Sequence, residues 1–224
     1  MASLARHDIQ GIGMTSQRTR ERLVTRLREK NISNEQVLNA IRNTPRHLFV
    51  EEALAHKAYD DTALPIGHGQ TISQPWVVAR MLELLVEDGK PAKVLEIGTG
   101  CGYQAAVLSA LAGQVYSVER IEPLMRQAKQ RIFDLRLHNV QIKYADGAFG
   151  WPEQAPFDGI IAACAGPAVP SELIEQLADG GRLVMPVTEG RQQWLTLIER
   201  LGNELRVQRL EEVRFVPFMQ GTQS

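Results

Sequence analysis

The clearest indication of the fold class is residues 94–103, which read Val-Leu-Glu-Ile-Gly-Thr-Gly-Cys-Gly-Tyr. Strand-forming residues run into three glycines at alternate positions, and a helical pattern begins at Tyr103. Glycines at a strand-to-helix turn let the backbone approach a ligand because no Cβ stands in the way. This spacing therefore predicts a ligand-binding turn rather than an ordinary connection, with Gly98, Gly100 and Gly102 at its centre.

Strand and helix patterns alternate after this turn. Strands are predicted at 115–118, 140–144, 159–163 and 182–187, and helices at 103–111, 123–137 and 170–177, the last capped by Gly180-Gly181. The alternation is typical of an α/β fold, a doubly wound, mostly parallel Rossmann-like sheet whose ligand lies at the carboxyl ends of the strands. Residues 194–199 and 205–215 predict an antiparallel hairpin at the C-terminus.

The chain before the glycine turn is expected to form an N-terminal helical lobe. A helix is predicted from Ser16, and a capping box of Ser33 and Gln36 predicts another, which Pro45 ends. We predict a mobile segment at 1–13 and one domain at 14–224, in which Met14 is an alternative start. The three parts of that domain are the lobe with its following loop, the ligand-binding core and the hairpin, at 14–88, 89–187 and 188–224.

Composition excludes several classes of protein. The 224 residues are 44% hydrophobic and 23% charged, as in an ordinary globular protein, and the net charge of -1 does not suggest a nucleic-acid partner. No apolar run approaches the roughly 20 residues that span a bilayer, and the N-terminus lacks the apolar core of a secretory signal. With only Cys101 and Cys164, we expect a cytoplasmic monomer with no membrane partner. The histidines lack metal-ligand spacing, so no metal is expected.

The glycine spacing distinguishes between two cofactors. A dinucleotide fingerprint is G-x-G-x-x-G, whereas this chain has G-x-G-x-G and places Tyr103 where that motif has its last glycine. Glu119, at the end of the second core strand, could accept the ribose hydroxyls of NAD or of S-adenosylmethionine. Asp146-Gly147 could place a carboxylate near an adenine, or could form a turn. Together these features favour S-adenosylmethionine, with an NAD-dependent hydride transfer as the alternative.

Glu96 is a further candidate for the cofactor site. It lies inside the first core strand, where an unpaired charge costs free energy. A cofactor that carries an ammonium and a sulfonium would give this carboxylate a partner. A salt bridge to a nearby Lys or Arg is the alternative.

Residues 64–75, Leu-Pro-Ile-Gly-His-Gly-Gln-Thr-Ile-Ser-Gln-Pro, predict the acceptor side of the site. Residues 163–167 lack the Asn/Asp-Pro-Pro-aromatic loop of amine and amide methyltransferases, which favours a carboxylate acceptor. A carboxylate has a pKa of about 4 and is already ionised at neutral pH, so it needs no general base. Ser73 and the neighbouring N–H groups could orient such an anion. The alternative is that Ser73 only caps the helix predicted at 76–86.

These segments resemble the protein-L-isoaspartate O-methyltransferase family of class I methyltransferases. The resemblance extends from about Met14 to the C-terminus, and its distinctive parts are residues 64–75 and 213–217, Val-Arg-Phe-Val-Pro. It implies transfer of a methyl group from S-adenosylmethionine to the free α-carboxylate of L-isoaspartyl residues in damaged proteins, which starts their repair through a succinimide. It implies that Ser73 is the active-site serine and that the cofactor is held by Gly98, Gly100, Glu119, Asp146 and Gly147.

Other residues of the same segments complete the predicted site. We assign Glu96, Thr99 and Gly102 to the cofactor side and Thr71, Gln74, Val213 and Arg214 to the substrate side, although Arg214 could equally be an exposed strand residue. The chain departs from the family at Ala145 and Ala148-Phe149, where Gly and Trp are frequent. It also departs at 164–167, where Ala-Pro-Pro is usual. Neither departure removes a polar ligand.

The resemblance leaves two questions open. Cys101 and Cys164 follow the first and fourth core strands, which are neighbours in the usual order, so both thiols could border the cofactor; independent thiols are the alternative. For the activity, the alternatives are methylation of another small carboxylate or hydroxyl, and a non-catalytic S-adenosylmethionine-binding module.

Overall fold

A computed structural model of the chain describes residues 11–224. Residues 1–10, most of the segment predicted to be mobile, lie outside the described residues. The strands of the described part are β1 (Leu64–Gly67), β2 (Gln70–Ile72), β3 (Lys93–Ile97), β4 (Gln114–Glu119), β5 (Val140–Tyr144), β6 (Phe157–Ala162), β7 (Leu177–Glu189), β8 (Gln192–Leu201) and β9 (Glu204–Val213). The α-helices are α1 (Gln17–Glu29), α2 (Glu35–Asn43), α3 (Pro75–Leu85), α4 (Tyr103–Leu111), α5 (Glu122–Asp134) and α6 (Ser171–Glu175). Short 3₁₀ helices occupy Gly13–Thr15, Arg46–Phe49, Glu52–Lys57, Gly147–Phe149 and Pro152–Gln154.

Seven strands form the central sheet, in the order β5-β4-β3-β6-β7-β8-β9. The pairs from β5 to β7 are parallel, and β7, β8 and β9 follow as antiparallel neighbours. The order reverses between β3 and β6, and this switch point is where doubly wound sheets bind their ligands. The predicted doubly wound, mostly parallel sheet with a C-terminal antiparallel hairpin is confirmed.

Hydrophobic residues cover both faces of this sheet. Val94 and Ile161 belong to a large cluster that includes the N-terminal helices, whereas Leu95 and Ile160 belong to a second cluster. Successive strand residues point to opposite faces, so neighbours in sequence contribute to different clusters. The strand predicted at 159–163 is buried on both faces, as its apolar sequence indicates.

Two predicted helix caps are wrong. Asn34, not Ser33, caps α2: its side-chain oxygen accepts the N–H groups of Gln36 and Val37 at 3.0 and 3.2 Å. The backbone N–H of Ser33 instead donates to Glu83 on α3, a contact between distant parts of the chain. Likewise Gly180-Gly181 does not cap the helix predicted at 170–177, because α6 ends earlier and both glycines lie within β7.

The predicted loop before α3 contains a small hairpin. β1 and β2 pair antiparallel through a turn at His68-Gly69, outside the central sheet. This hairpin leads directly into Ser73 and then α3, whose first residue is Pro75, a position that suits proline because its missing N–H would have no partner there. None of the helices within residues 11–224 has the length and apolar character needed to cross a bilayer.

Candidate functional site

The glycine turn follows β3 and adopts a backbone that side chains disfavour. Gly98, Gly100 and Gly102 have φ values of 89°, 55° and 91°, all in the left-handed region. Gly102 is the N-cap residue of α4, directly before its first residue, and a Cβ there would meet Ala128 at 3.3 Å. The glycines are therefore required by the backbone conformation and by close packing.

Glu119 fixes this turn from the end of β4. Its Oε2 accepts the N–H of Gly100 at 2.8 Å, and its Oε1 accepts the N–H of Ile121 at 2.9 Å. The side chain is buried, yet each carboxylate oxygen keeps a further lone pair for a ligand.

A first cavity of about 910 Å³ opens above this turn, at the carboxyl ends of β3, β4 and β6. Of the predicted cofactor residues it is lined by Gly98, Thr99, Gly100, Glu119 and Gly147. Cys101 and Cys164 also line it, and both cysteines are free.

Glu96 lies outside the lining of this cavity. It is fully buried; its Oε2 accepts the hydroxyl of Ser117 at 2.5 Å, and the hydroxyl of Thr99 lies 2.5 Å from that of Ser117. Because Ser117 has one hydrogen, which goes to Glu96, Thr99 donates to Ser117. Hydrogen bonds through the hydroxyls of Ser117 and Thr99 thus link the Glu96 carboxyl group to the wall of the first cavity, which Thr99 lines. Burial raises the pKa of Glu96 to about 8, against the opposing effect of the hydrogen bond from Ser117 and of the nearby Gln104 amide.

Asp146 also lies outside that lining and holds the backbone of two segments. Its Oδ1 accepts the N–H of Ala148 at 2.9 Å, and its Oδ2 accepts the N–H of Gly221 at 2.5 Å. The second bond fastens the C-terminal tail, whose residues 216–219 form part of the cavity wall. The turn that the sequence offered as the alternative for Asp146 is therefore present, and its contact with an adenine stays a prediction.

A second cavity of about 990 Å³ adjoins the first. The two share four lining residues: Thr71, Ser73, Ala163 and Val216. The remaining predicted substrate-side residues, Gln74, Val213 and Arg214, line the second cavity. Ser73 therefore lies at the boundary of the two cavities, where a molecule bound in one would meet a molecule bound in the other.

Ser73 does not cap α3. The capping position is Gln74, and the Ser73 hydroxyl has no hydrogen-bond partner within residues 11–224. The N–H of Trp76 donates to Oδ1 of Asp61 at 2.9 Å, and Pro75 has no N–H. The start of α3 thus offers fewer free N–H groups to an anion than the sequence suggests.

Three contributors to this site were not predicted from the sequence: Arg46, Asp61 and residues 216–219. Arg46 donates to the carbonyl of Ser73, and Asp61 holds the first turn of α3. Both act across at least 15 residues of sequence, so no local pattern marks them. The tail reaches the cavity because Ala165 donates to Val216 and accepts from Phe218.

The cavity geometry fits a cofactor with an adenosyl group, and the G-x-G-x-G spacing favours S-adenosylmethionine over a dinucleotide. The backbone approaches closely at the glycine turn, and a Cβ on Gly147 would lie 2.5 Å from Ile97 Cγ2, so this wall has no room for side chains. One buried carboxylate, that of Glu119, lies where a ribose is held in doubly wound folds. Fold and site define a class I S-adenosylmethionine-dependent methyltransferase.

Comparison with known proteins narrows this class. A family model described as protein-L-isoaspartate(D-aspartate) O-methyltransferase matches residues 17–223, and the chain belongs to this family. A protein-L-isoaspartate O-methyltransferase from Alcanivorax borkumensis is 67% identical over 216 residues, 96% of this chain and 98% of that protein. Another, from Alkalilimnicola ehrlichii, is 60% identical over 213 residues, 95% of this chain and 96% of that protein.

Solved structures agree with this assignment. A protein-L-isoaspartate O-methyltransferase matches with a TM-score of 0.80 and 30% identity, over 88% of this chain and 65% of that one. A Plasmodium falciparum protein of the same name, in complex with S-adenosyl-L-homocysteine, matches with a TM-score of 0.76 and 25% identity, over 89% of this chain and 98% of that one.

Proposed function

We propose that this chain esterifies the free α-carboxylate of L-isoaspartyl residues in damaged proteins and peptides, with S-adenosylmethionine as the methyl donor. The observation that carries the proposal is the junction of the two cavities at Ser73. One cavity has the glycine turn and the carboxylate expected for the donor. The other is open to an acceptor peptide between α3 and the segment after β9.

The first cavity would hold the donor through backbone and one carboxylate. The free lone pairs of Glu119 would accept ribose hydroxyls, while Gly98, Gly100 and Gly147 permit close approach of the backbone. When bound, S-adenosylmethionine supplies an electrophilic methyl group. The chain's own task on this side is to fix its position and to exclude water.

The second cavity would orient the acceptor carboxylate. Because the acceptor is already an anion, the chain must supply alignment rather than a proton acceptor. The Ser73 hydroxyl would donate to one carboxylate oxygen and direct the other toward the first cavity. Thr71, Gln74 and Val213 would flank the peptide, and the guanidinium of Arg214 would attract its charge.

Gln193 gives the acceptor side a fixed wall. Its side chain accepts the N–H of Phe215 at 2.6 Å and donates to the carbonyl of the same residue at 3.2 Å. These two bonds hold Phe215, in the segment after β9, in the wall of the second cavity. Methylation turns the carboxylate into an ester, a better leaving group, and the neighbouring backbone amide can then close a succinimide.

The test offers the chain two peptides that differ only in isoaspartate against aspartate, and counts base-labile methyl groups on each. We expect methyl esters on the isoaspartyl peptide alone. Esters on both peptides would favour a general carboxyl methyltransferase, and binding of the donor without transfer would favour a non-catalytic module. Ser73→Ala should lower kcat by about 100-fold with S-adenosyl-L-homocysteine affinity unchanged. Ser171→Ala, at an exposed serine on α6, is the matched control.

We also propose that the chain acts as a monomer in the cytoplasm, without nucleic-acid or membrane partners. The donor and acceptor cavities both lie within one chain, and both cysteines are free thiols, as in a reducing compartment. Light scattering after size exclusion tests this state: a mass near 25.0 kDa is expected, and a dimer mass would contradict it.

A further inference from the structure

Arg46 is fully buried next to the turn that carries Ser73, between β2 and α3. Its Nη2 donates to the carbonyl of Ser73 at 2.7 Å, and its Nε donates to the carbonyl of Ala58 at 2.8 Å. Ala58 is the residue that ends the 3₁₀ helix Glu52–Lys57. One guanidinium therefore connects the turn that carries Ser73 to the end of this 3₁₀ helix in the N-terminal lobe.

The same guanidinium also contacts the donor side. Its Cζ lies 4.7 Å from the centre of the Tyr103 ring, within the range of a cation–π contact. Tyr103 is buried, directly follows Gly102 and lines the first cavity. Arg46 is thus in contact with both structures that must stay aligned for methyl transfer.

The charge of Arg46 is not balanced by a carboxylate in the described part of the chain. Its neighbours are carbonyls, the two tyrosines Tyr59 and Tyr103, and the thiol of Cys101, and its Nη1 has no hydrogen-bond partner within residues 11–224. Burial lowers the pKa of Arg46, but a guanidinium stays protonated in proteins. A buried cation without a counter-charge destabilises a protein unless an anion, such as a bound ligand, balances its charge.

We infer that Arg46 is a positioning residue for the acceptor: it fixes Ser73 through its carbonyl and supplies the buried positive charge that an incoming carboxylate balances. The inference rests on the proposed function, because it takes Ser73 as the acceptor site. The charge reaches the acceptor through one peptide group, in surroundings that water screens little. Arg46 itself touches neither donor nor acceptor.

Two substitutions separate the geometric and electrostatic parts. Arg46→Met removes the charge and both hydrogen bonds, so kcat should fall about 100-fold and the KM for the isoaspartyl peptide should rise about tenfold. Arg46→Lys keeps the charge but cannot reach both carbonyls in the same geometry, so kcat should fall only about tenfold. The Kd for S-adenosyl-L-homocysteine should stay within about threefold of wild type in both variants.

Arg182→Met is the matched control, because Arg182 is another buried arginine but is paired with Glu87, Asp88 and Glu199 away from both cavities. It should lower the Tm and leave kcat and KM unchanged. Unchanged kcat in Arg46→Lys would overturn the inference, even if Arg46→Met does not fold. So would equal losses of kcat in Arg46→Lys and Arg46→Met, or a parallel loss of kcat in Arg182→Met. If wild type fails to methylate the isoaspartyl peptide, both the proposed function and this inference fail. If wild type is active and the Arg46 variants keep its kcat and its KM for the peptide, only this inference fails.

Discussion

The carboxylate of Glu119 accepts the N–H of Gly100 at 2.8 Å, so the last residue of β4 holds the middle of the glycine turn that follows β3. The other carboxylate oxygen accepts the N–H of Ile121, where the chain turns into α5. One side chain thus shapes two connections at the switch point of the sheet. The ribose-binding role proposed for Glu119 depends on the same two hydrogen bonds.

Glu119→Gln tests this relationship. An amide has one oxygen, so one of the two N–H donors would face an NH₂ group and lose its acceptor. An unpaired buried donor costs about 1–3 kcal/mol, and we expect a lower Tm with at least a tenfold weaker Kd for S-adenosyl-L-homocysteine by calorimetry. Glu122→Gln, which changes a partly exposed residue paired with Arg126, should change neither. Unaltered affinity in Glu119→Gln would exclude Glu119 from the donor site.

The sequence was most informative where structure depends on contiguous residues. The glycine turn, the strand pattern and Pro75 at the start of α3 follow from local rules, and the structure agrees with each. The cap of α2 was misassigned because Ser33 and Asn34 are both good caps, and only the distant Glu83 decides between them.

The acceptor side was harder to predict because distant residues build it. Arg46 reaches Ser73 across 27 residues, and Asp61 reaches Trp76 across 15. Neither has a spacing that a helix or strand would impose. The sequence predicts Ser73 as the acceptor-side serine, whereas the residues that support it become visible only when the chain is folded.

Gly147 provides a test of the cavity wall. A Cβ there would lie 2.5 Å from Ile97 Cγ2, and both residues line the first cavity, so Gly147→Ala must displace part of that wall. We expect the Kd for S-adenosyl-L-homocysteine to weaken at least tenfold, about 1.4 kcal/mol. Gly113→Ala is the control, since Gly113 directly precedes β4, at the opposite end of this strand from the cavity, and its Cβ would meet the carbonyl of Ala92 at 2.6 Å. It should lower the Tm without changing affinity; an equal loss of affinity would assign the effect to general instability.

Asp61 links the start of α3 to α1. Oδ1 accepts the N–H of Trp76 at 2.9 Å, and Oδ2 lies 2.5 Å from Lys30 Nζ. Burial alone would raise the pKa of Asp61, but the Lys30 ammonium and the Trp76 N–H outweigh it and lower the pKa. Its contribution to stability is therefore present above the pKa of the unfolded chain and is lost as pH falls through the lower folded pKa.

Substitutions of Asp61 should separate the contribution of its ion pair with Lys30 from that of its hydrogen bond with the Trp76 N–H. Asp61→Asn keeps an oxygen for Trp76 and should cost about 1 kcal/mol, whereas Asp61→Ala loses both contacts and should cost about 2 kcal/mol. Denaturant unfolding measures both. Lys30→Met removes only the cation and should match Asp61→Asn. If Asp61→Ala lowered the free energy of unfolding no more than Asp61→Asn does, the hydrogen bond with the Trp76 N–H would contribute nothing to stability.

Glu96 gives a prediction for the dependence of stability on pH. Burial raises the pKa of Glu96 to about 8 from 4.5, and the nearby charge of Glu119 acts in the same direction. Between these two values the folded chain keeps a proton that the unfolded chain releases. The free energy of unfolding therefore falls as pH rises through this range and levels off above pH 8.

Glu96→Gln should remove this contribution, because an amide stays neutral at every pH. The Tm of Glu96→Gln minus that of wild type should rise from pH 5 to about pH 8 and then become constant. Differential scanning fluorimetry of both proteins measures the difference, in which the titration of all other groups cancels. Ser117→Ala removes the hydrogen bond that lowers the pKa of Glu96, so its comparison with the double variant Ser117→Ala, Glu96→Gln should level off at a higher pH. Parallel Tm curves for wild type and Glu96→Gln would mean that Glu96 is ionised in the folded chain throughout, in which case the hydroxyls of Ser117 and Thr99 stabilise a buried anion next to the first cavity.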